Sequence, residues 1–231
     1  MILFWPPDSV CPGEVSILEA LEKLLAIAGP ALSPAAPFLS DASLRLAGAM
    51  SGDILDMLAQ RNGFMAFESA LQVLPADSRD GVIGLNDWNA QELWRGAYGE
   101  LSDGLFFFAQ DVFGGQFCIE NDAIVSFDPE TGAREFLAQG LDGWIEKILT
   151  DYRFPLGYPL ARQWQAKHGA LPKSKRLVPV KPFVLGGDFA VSNLVAKEAV
   201  PAMRDRAAIA IRIKTLPDGA QLTWPISDEK N

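Results

Sequence analysis

One histidine, two cysteines and a scatter of carboxylates are the residues of this chain with the chemistry for catalysis or metal binding. His168 would have to serve any Ser-His-Asp or Cys-His arrangement, and multi-histidine metal centres are excluded at once. It stands in QAKHGALPKSKR, a polar and basic stretch at a helix end, where a solvated imidazole near the last carbonyls is expected. Cys11 and Cys118 are far apart and show no CxxC spacing, so reduced thiols are expected, with neither a zinc site nor a disulfide framework. Asp111, Glu120 and Asp122 lie near strand ends; a glycosidase would need two such carboxyls ~5–9 Å apart in a cleft, and nothing in the spacing places them so. Asp122, Asp128 and Glu130 surround two turns but lack the alternating carboxylates and closing Glu of a calcium loop, so they read as turn caps. Gly114-Gly115 and Gly186-Gly187 do not open a helix in a GxGxxG pattern and read as turns or bulges. These residues show no catalytic constellation, and no metal or cofactor is expected.

The distribution of charge suggests two surfaces with different partners, or a basic tail that folds back on an acidic body. The net charge is −9, yet residues 1–150 hold 22 acids and 7 bases, net −15, whereas residues 151–231 hold 7 acids and 13 bases, net +6. An acidic first half would attract a basic partner and speed its encounter. Nucleic acid is not an expected partner: Lys167, Lys173, Lys175, Arg176 and Lys181 cluster, but in a Pro-bearing stretch that reads as a solvated connector. With 49% hydrophobic and 21% charged residues over 231 positions, the chain has the composition of a folded protein with a sizeable core. No apolar run approaches the ~20 residues of a membrane span, and the start MILFWPPD has no charged n-region ahead of an apolar stretch, so a cytoplasmic protein without a membrane partner is expected.

The elements that must position these groups follow from periodicity. Residues 13–28 carry Val15, Ile17, Leu18, Leu21, Leu24, Leu25 and Ala28 at helical spacing, stopped by Gly29-Pro30. A second helix is expected over SGDILDMLAQRN, with Ser51 as cap and Asn62-Gly63 as left-handed terminus. Phe67, Leu71 and Leu74 suggest a further short helix before Pro75. Asn86 and Asp87 are cap candidates for a helix that buries Leu93, Trp94, Ala97 and Tyr98. From Gly104 the period becomes that of strands: LFFFAQDVF, QFCIE, AIVSF and REFLA, separated by tight turns, with DPETG joining the last pair as a hairpin. Three consecutive Phe residues, 106–108, require at least one to face away from the others. A helix over 141–149 buries Leu141, Trp144, Ile145 and Ile148. Trp88, beside polar Asn86, Asp87 and Asn89, is a candidate interface anchor. Helices first, then an antiparallel meander and a closing helix, give an α+β class.

The residues FFFAQDVFGGQFCI (106–119), the strand reaching Val125-Ser126-Phe127, the turn DPETG (128–132), REFLA (134–138) and the helix with Trp144 resemble, in that order, the SUKH superfamily of bacterial immunity proteins related to yeast cell-wall-assembly regulators. The helix ending RNGF (61–64) and the following FESALQVLP (67–75) also resemble that family, so the likeness covers about 100 residues. The stretch PFVLGGDFAVSNLVAKEAV, the next helix and LPDGAQL are similar to an extension of longer bacterial members. The resemblance implies an antiparallel or mixed sheet flanked by helices. It also implies a non-enzymatic protein, with no catalytic residues, that binds a toxin and blocks its active site, possibly the site of a nuclease; a scaffold or regulatory protein-binding domain is the alternative. On this reading residues 1–152 form a SUKH-like domain with an added N-terminal helix and residues 153–176 a basic connector. Residues 177–231 would be a strand-helix-strand extension packed on the main domain. Surface acids between Asp103 and Asp142, especially Asp111, Glu120 and Asp122, would steer and contact the toxin, together with Trp88. A hydrolase with an unrecognised site is the remaining rival, motivated only by the abundance of carboxylates.

Overall fold

The computed structural model describes residues 17–216. In chain order it holds α1 (Ile17–Ile27), α2 (Asp41–Ala47), α3 (Ser51–Gln60), β1 (Phe64–Ala66), β2 (Leu71–Val73), α4 (Leu85–Trp88), a 3-10 stretch (Arg95–Ser102), β3 (Phe106–Asp111), β4 (Gln116–Glu120), β5 (Ala123–Phe127), β6 (Arg134–Gln139) and α5 (Gly140–Thr150). There follow α6 (Tyr158–His168), β7 (Lys175–Pro179), β8 (Leu194–Glu198) and α7 (Ala199–Lys214). Strands β1 to β6 form one antiparallel sheet in sequential order, and β7 and β8 form a separate hairpin. The class is α+β.

The sheet is covered on both faces, which explains its near-continuous apolar strands. The alternation of the strand sends the consecutive phenylalanines of β3 to both sides, and the register shifts at a bulge between Phe107 and Ala109. Phe107 and Phe127 meet Trp94 and Tyr98 on one face, while Phe108 and Phe117 meet Trp144 of α5 on the other. These are edge-to-face contacts, each adding about 1 kcal/mol beyond the area it buries. α1 packs on α5 and so extends the second layer. On the first face Arg95 is buried across the ring of Phe107 and donates to Asn89 O and Ser102 O, tying down the irregular segment 89–102.

Several local expectations are corrected. Residues 64–74 form the β1–β2 hairpin instead of a helix. Phe67, Glu68 and Ser69 turn the chain with φ of 51°, 52° and 70°, a left-handed run that no glycine announces. The expected helix after Asn86 is a four-residue α4, followed after a break by the 3-10 stretch. α2 was not anticipated; Ser40 caps it by accepting from Ser43 N–H, and because the chain runs on through a 3-10 turn, Ser51 caps nothing. α3 ends at Gln60, and Asn62 is a buried hub: its amide donates to Ala35 O and accepts from Ala76 N–H. Gly63 does take a positive φ, 68°, packed against Pro75.

α6 occupies 11 of the 24 residues read as a connector, where a helix around Leu160 to Lys167 is expected, and it buries Ala161 and Trp164. Beyond it, β7 joins the main body through Leu177 N–H to Val112 O (2.8 Å). Leu177, Leu194, Met203, Ala207 and Ala210 belong to the same apolar core as the six-stranded sheet. The observed order is strand, strand, helix; the strand expected over AQLTWPI, the first turn of the N-terminal helix and Cys11 lie outside the described residues.

Candidate functional site

Hairpin chemistry decides where the carboxylates sit. Glu120 pairs with Ala123, so Asn121 and Asp122 form a two-residue loop with φ of 47° and 62°, the mirror-image turn that Asn and Asp tolerate. Asp111 ends β3 at the opposite end of the β3–β4 pair, since Gln110 faces Gln116 while Phe106 faces Ile119. At the rise of a strand this separates Asp111 from Glu120 by about 17 Å. The three acids therefore form no common site, and Asp111 cannot pair with either of the others as glycosidase carboxyls.

Asp122 is exposed, and its carbonyl accepts from the Gln139 side chain. Glu120 is half-buried and ion-paired with Arg134, whose guanidinium also donates to Leu101 O and Asp103 O. Arg134 thus gathers Asp103 and Glu120 at the end of the sheet that holds the Asn121-Asp122 loop. Gln139 faces Ala123, so the first turn of α5, with Asp142, starts beside the same loop. Asp103, Glu120, Asp122 and Asp142 therefore rim one end of the molecule, with Arg134 committed to Glu120. Asp103 and Asp142 bound the run of surface acids that the sequence offers for contact with a partner. Only the pairing of strands reveals that they share an end with Asp122.

Asp111 does different work. Its Oδ1 accepts from Phe113 N–H (2.7 Å) and Gly115 N–H (2.8 Å), closing the β3–β4 turn. Burial pushes its carboxyl up to about 6, although these two hydrogen bonds and the charges of Arg206 and Arg176 pull the other way. Arg206 of α7 donates to Phe113 O (2.6 Å) from a buried position. Arg176 of β7, which the sequence places in the basic connector, is 1% exposed, and its Nε and Nη2 have no partner. Burial lowers its guanidinium to about 9. Asp111 thus closes a turn away from the other two acids, partly exposed and ion-paired with neither Arg176 nor Arg206, whose charges still favour its ionised form. No sequence pattern marks Arg176 or Arg206, because burial of a charge is a tertiary event.

The placing of Trp88 at an interface is corrected. It is 1% exposed, packed against Trp94 at 5.3 Å, and its indole N–H donates to Gln116 Oε1 (2.9 Å). His168 ends α6 exposed, stacked on Trp164 at 4.6 Å. Cys118 is buried, and burial pushes its thiol up. Among the described residues no three His, Cys, Asp or Glu side chains gather as a metal site, and no helix is long and apolar enough to cross a membrane.

No family model and no curated protein matches the chain. A solved structure, that of Atu4351 from Agrobacterium tumefaciens, is similar over 80% of this chain and 87% of that one, with a TM-score of 0.57 and 14% identity. At that identity the likeness is one of fold.

Proposed function

We propose that this chain is an immunity-type protein that binds a toxin through a basic surface and covers the toxin's active site. The observation that carries the reading is the acidic end: Asp103, Asp122 and Asp142 around the Asn121-Asp122 loop, with the neighbouring Arg134 held by Glu120. A surface of one sign, mounted on a rigid meander, steers an oppositely charged partner and is preorganised to meet it. The sequence resemblance to SUKH immunity proteins includes β3 to β6 and α5, the elements that build this end, and extends to residues 61–75 and the C-terminal stretch.

The test is affinity capture of the tagged chain from lysate of its native host, followed by expression of each captured protein alone and together with this chain. A stoichiometric partner that arrests growth alone and is tolerated in co-expression supports the reading. Reversing Asp103, Asp122 and Asp142 together to Lys is expected to lower the association rate with that partner about tenfold or more at low salt and to flatten its salt dependence. Unchanged association and salt dependence would remove the acidic end from the interface. Several modest partners without toxicity would favour a scaffold.

A further inference from the structure

Apart from the acidic end, the structure holds a polar relay that finishes in a cavity. Gln72, Gln110 and Gln116 occupy directly paired positions on β2, β3 and β4, and each is at most 2% exposed. Three amides side by side within an otherwise apolar sheet face need partners, and they take them from one another. Trp88 Nε1 donates to Gln116 Oε1 (2.9 Å), Gln116 Nε2 to Gln110 Oε1 (3.3 Å), and Gln110 Nε2 to Gln72 Oε1 (2.8 Å).

The direction of this relay is fixed by its first member. An indole N–H can only donate, so Gln116 must turn its oxygen to Trp88 and its NH2 onward, and the same logic orients Gln110 and Gln72. The last amide, Gln72, is therefore an obligate donor. Its NH2 finds only Lys173 O, at 3.4 Å, which leaves a second proton unspent, and Gln110 likewise uses one of its two.

Both amides line a cavity of about 250 Å³ between the sheet and the first turn of α7. Leu74, Val82 and Ile83 form its apolar wall, and Lys173 stands at its rim. The first turn of α7, residues Ala199 to Pro201, completes the lining and presents the positive end of a 16-residue helix. Glu198 also reaches the cavity, but its carboxylate lies 3.7 Å from Lys175. The site thus offers the unspent amide protons of Gln72 and Gln110 and a helix N-terminus, beside the Ser174 hydroxyl and the half-exposed Glu198 carboxylate.

We propose that this cavity binds a small carboxylate with a compact apolar body. The carboxylate accepts from Gln72 and Gln110 near Lys173, and the body lies against Leu74, Val82 and Ile83. Trp88, whose ring also lines the cavity, is a positioning residue: its indole N–H is spent on Gln116 and so fixes which atom each amide presents.

Benzoate is the first probe, with benzylammonium as the same body carrying the opposite charge. Titration of the full chain, followed by NMR of the glutamine side-chain NH2 and tryptophan indole resonances, is expected to show saturable shifts at Gln72 and Gln110 with benzoate, with Kd on the order of 1 mM for so small a ligand. Benzylammonium should give none. Lys173→Ala, a rim substitution, should weaken benzoate about threefold. Trp88→Phe should let the amides reverse and so narrow the preference for benzoate over benzylammonium. No saturable shift with benzoate, equal response to benzylammonium, or binding indifferent to Lys173→Ala would each overturn the proposal. The Lys173 result decides the matter even if Trp88→Phe does not fold.

Discussion

Asp111→Asn is the sharpest probe of the junction between the sheet and the C-terminal elements. A carboxyl with a pKa of about 6 in the folded protein, against 3.8 as its ordinary value, holds its proton more tightly when folded. Stability from this group is therefore complete below about pH 4 and is lost as pH rises through about 6. Two pKa units correspond to an upper bound of about 3 kcal/mol, with Arg176 and Arg206 already counted on the side of the charged form. Asn keeps an oxygen for Phe113 N–H and Gly115 N–H but cannot ionise, so it imitates the protonated acid at every pH. Urea denaturation of wild type and variant at pH 4 and pH 7.5 should give stabilities within about 0.5 kcal/mol of each other at the lower pH, and a variant more stable by about 1–3 kcal/mol at the higher. Arg176 does not blur the comparison, because it stays protonated below its lowered value of about 9. A variant less stable than wild type at pH 7.5 would show that the arginines outweigh burial, and the reasoning would fail.

Two further substitutions test neighbouring claims. Arg176→Met removes a buried guanidinium whose Nε and Nη2 are unpartnered, so stability at pH 5, where Asp111 is largely protonated, is expected to be unchanged or higher by up to about 2 kcal/mol; a loss of that size in urea titration would mean the charge is held better than its contacts show. Gly63→Ala forces a side chain onto a residue with φ +68° and places its Cβ 2.5 Å from Pro75 N, a backbone atom that cannot swing away; a loss of about 2 kcal/mol or more in thermal unfolding is expected, and a neutral result would contradict the close approach.

Much of the fold is legible in the sequence where local signals and tertiary demands coincide. The meander from Phe106 to Gln139 announces itself through turn residues: Asn121-Asp122 and Asp128 to Gly132 act as their chemistry predicts, and the expected pairing of Val125 to Phe127 with the REFLA strand is the observed register. Helix α5 follows from its stripe of Leu141, Trp144, Ile145 and Ile148. Residues 64–74 mislead because Phe67, Leu71 and Leu74 fall at helical spacing while the backbone at 67–69 takes a conformation common only for glycine and, less often, Asn or Asp. Tyr152 stacks on Phe67 at 4.8 Å, and Tyr158 and Gln165 donate to the Glu68 side chain and carbonyl, so contacts from about ninety residues away hold the turn. The candidate site was less legible still. Polar neighbours made Trp88 look exposed, yet its indole N–H is claimed by Gln116 from another element. Around Asp111, nothing local betrays the two buried arginines whose charges reach it.

The turn from Asp111 to Gly115 is held from both sides, by its own carboxylate beneath and by Arg206 of α7 above, while Leu177 of β7 bonds Val112 within it. Opening that turn means undocking β7 and α7, and undocking them strips cover from Gln116. Amide hydrogens of β3, β4, β7 and α7 should then exchange with solvent as one cooperative unit at a shared opening free energy, although they lie about a hundred residues apart in the chain. Cleavage between the sheet and the C-terminal hairpin would cut the chain without freeing either part, and the nicked protein would still melt in a single transition.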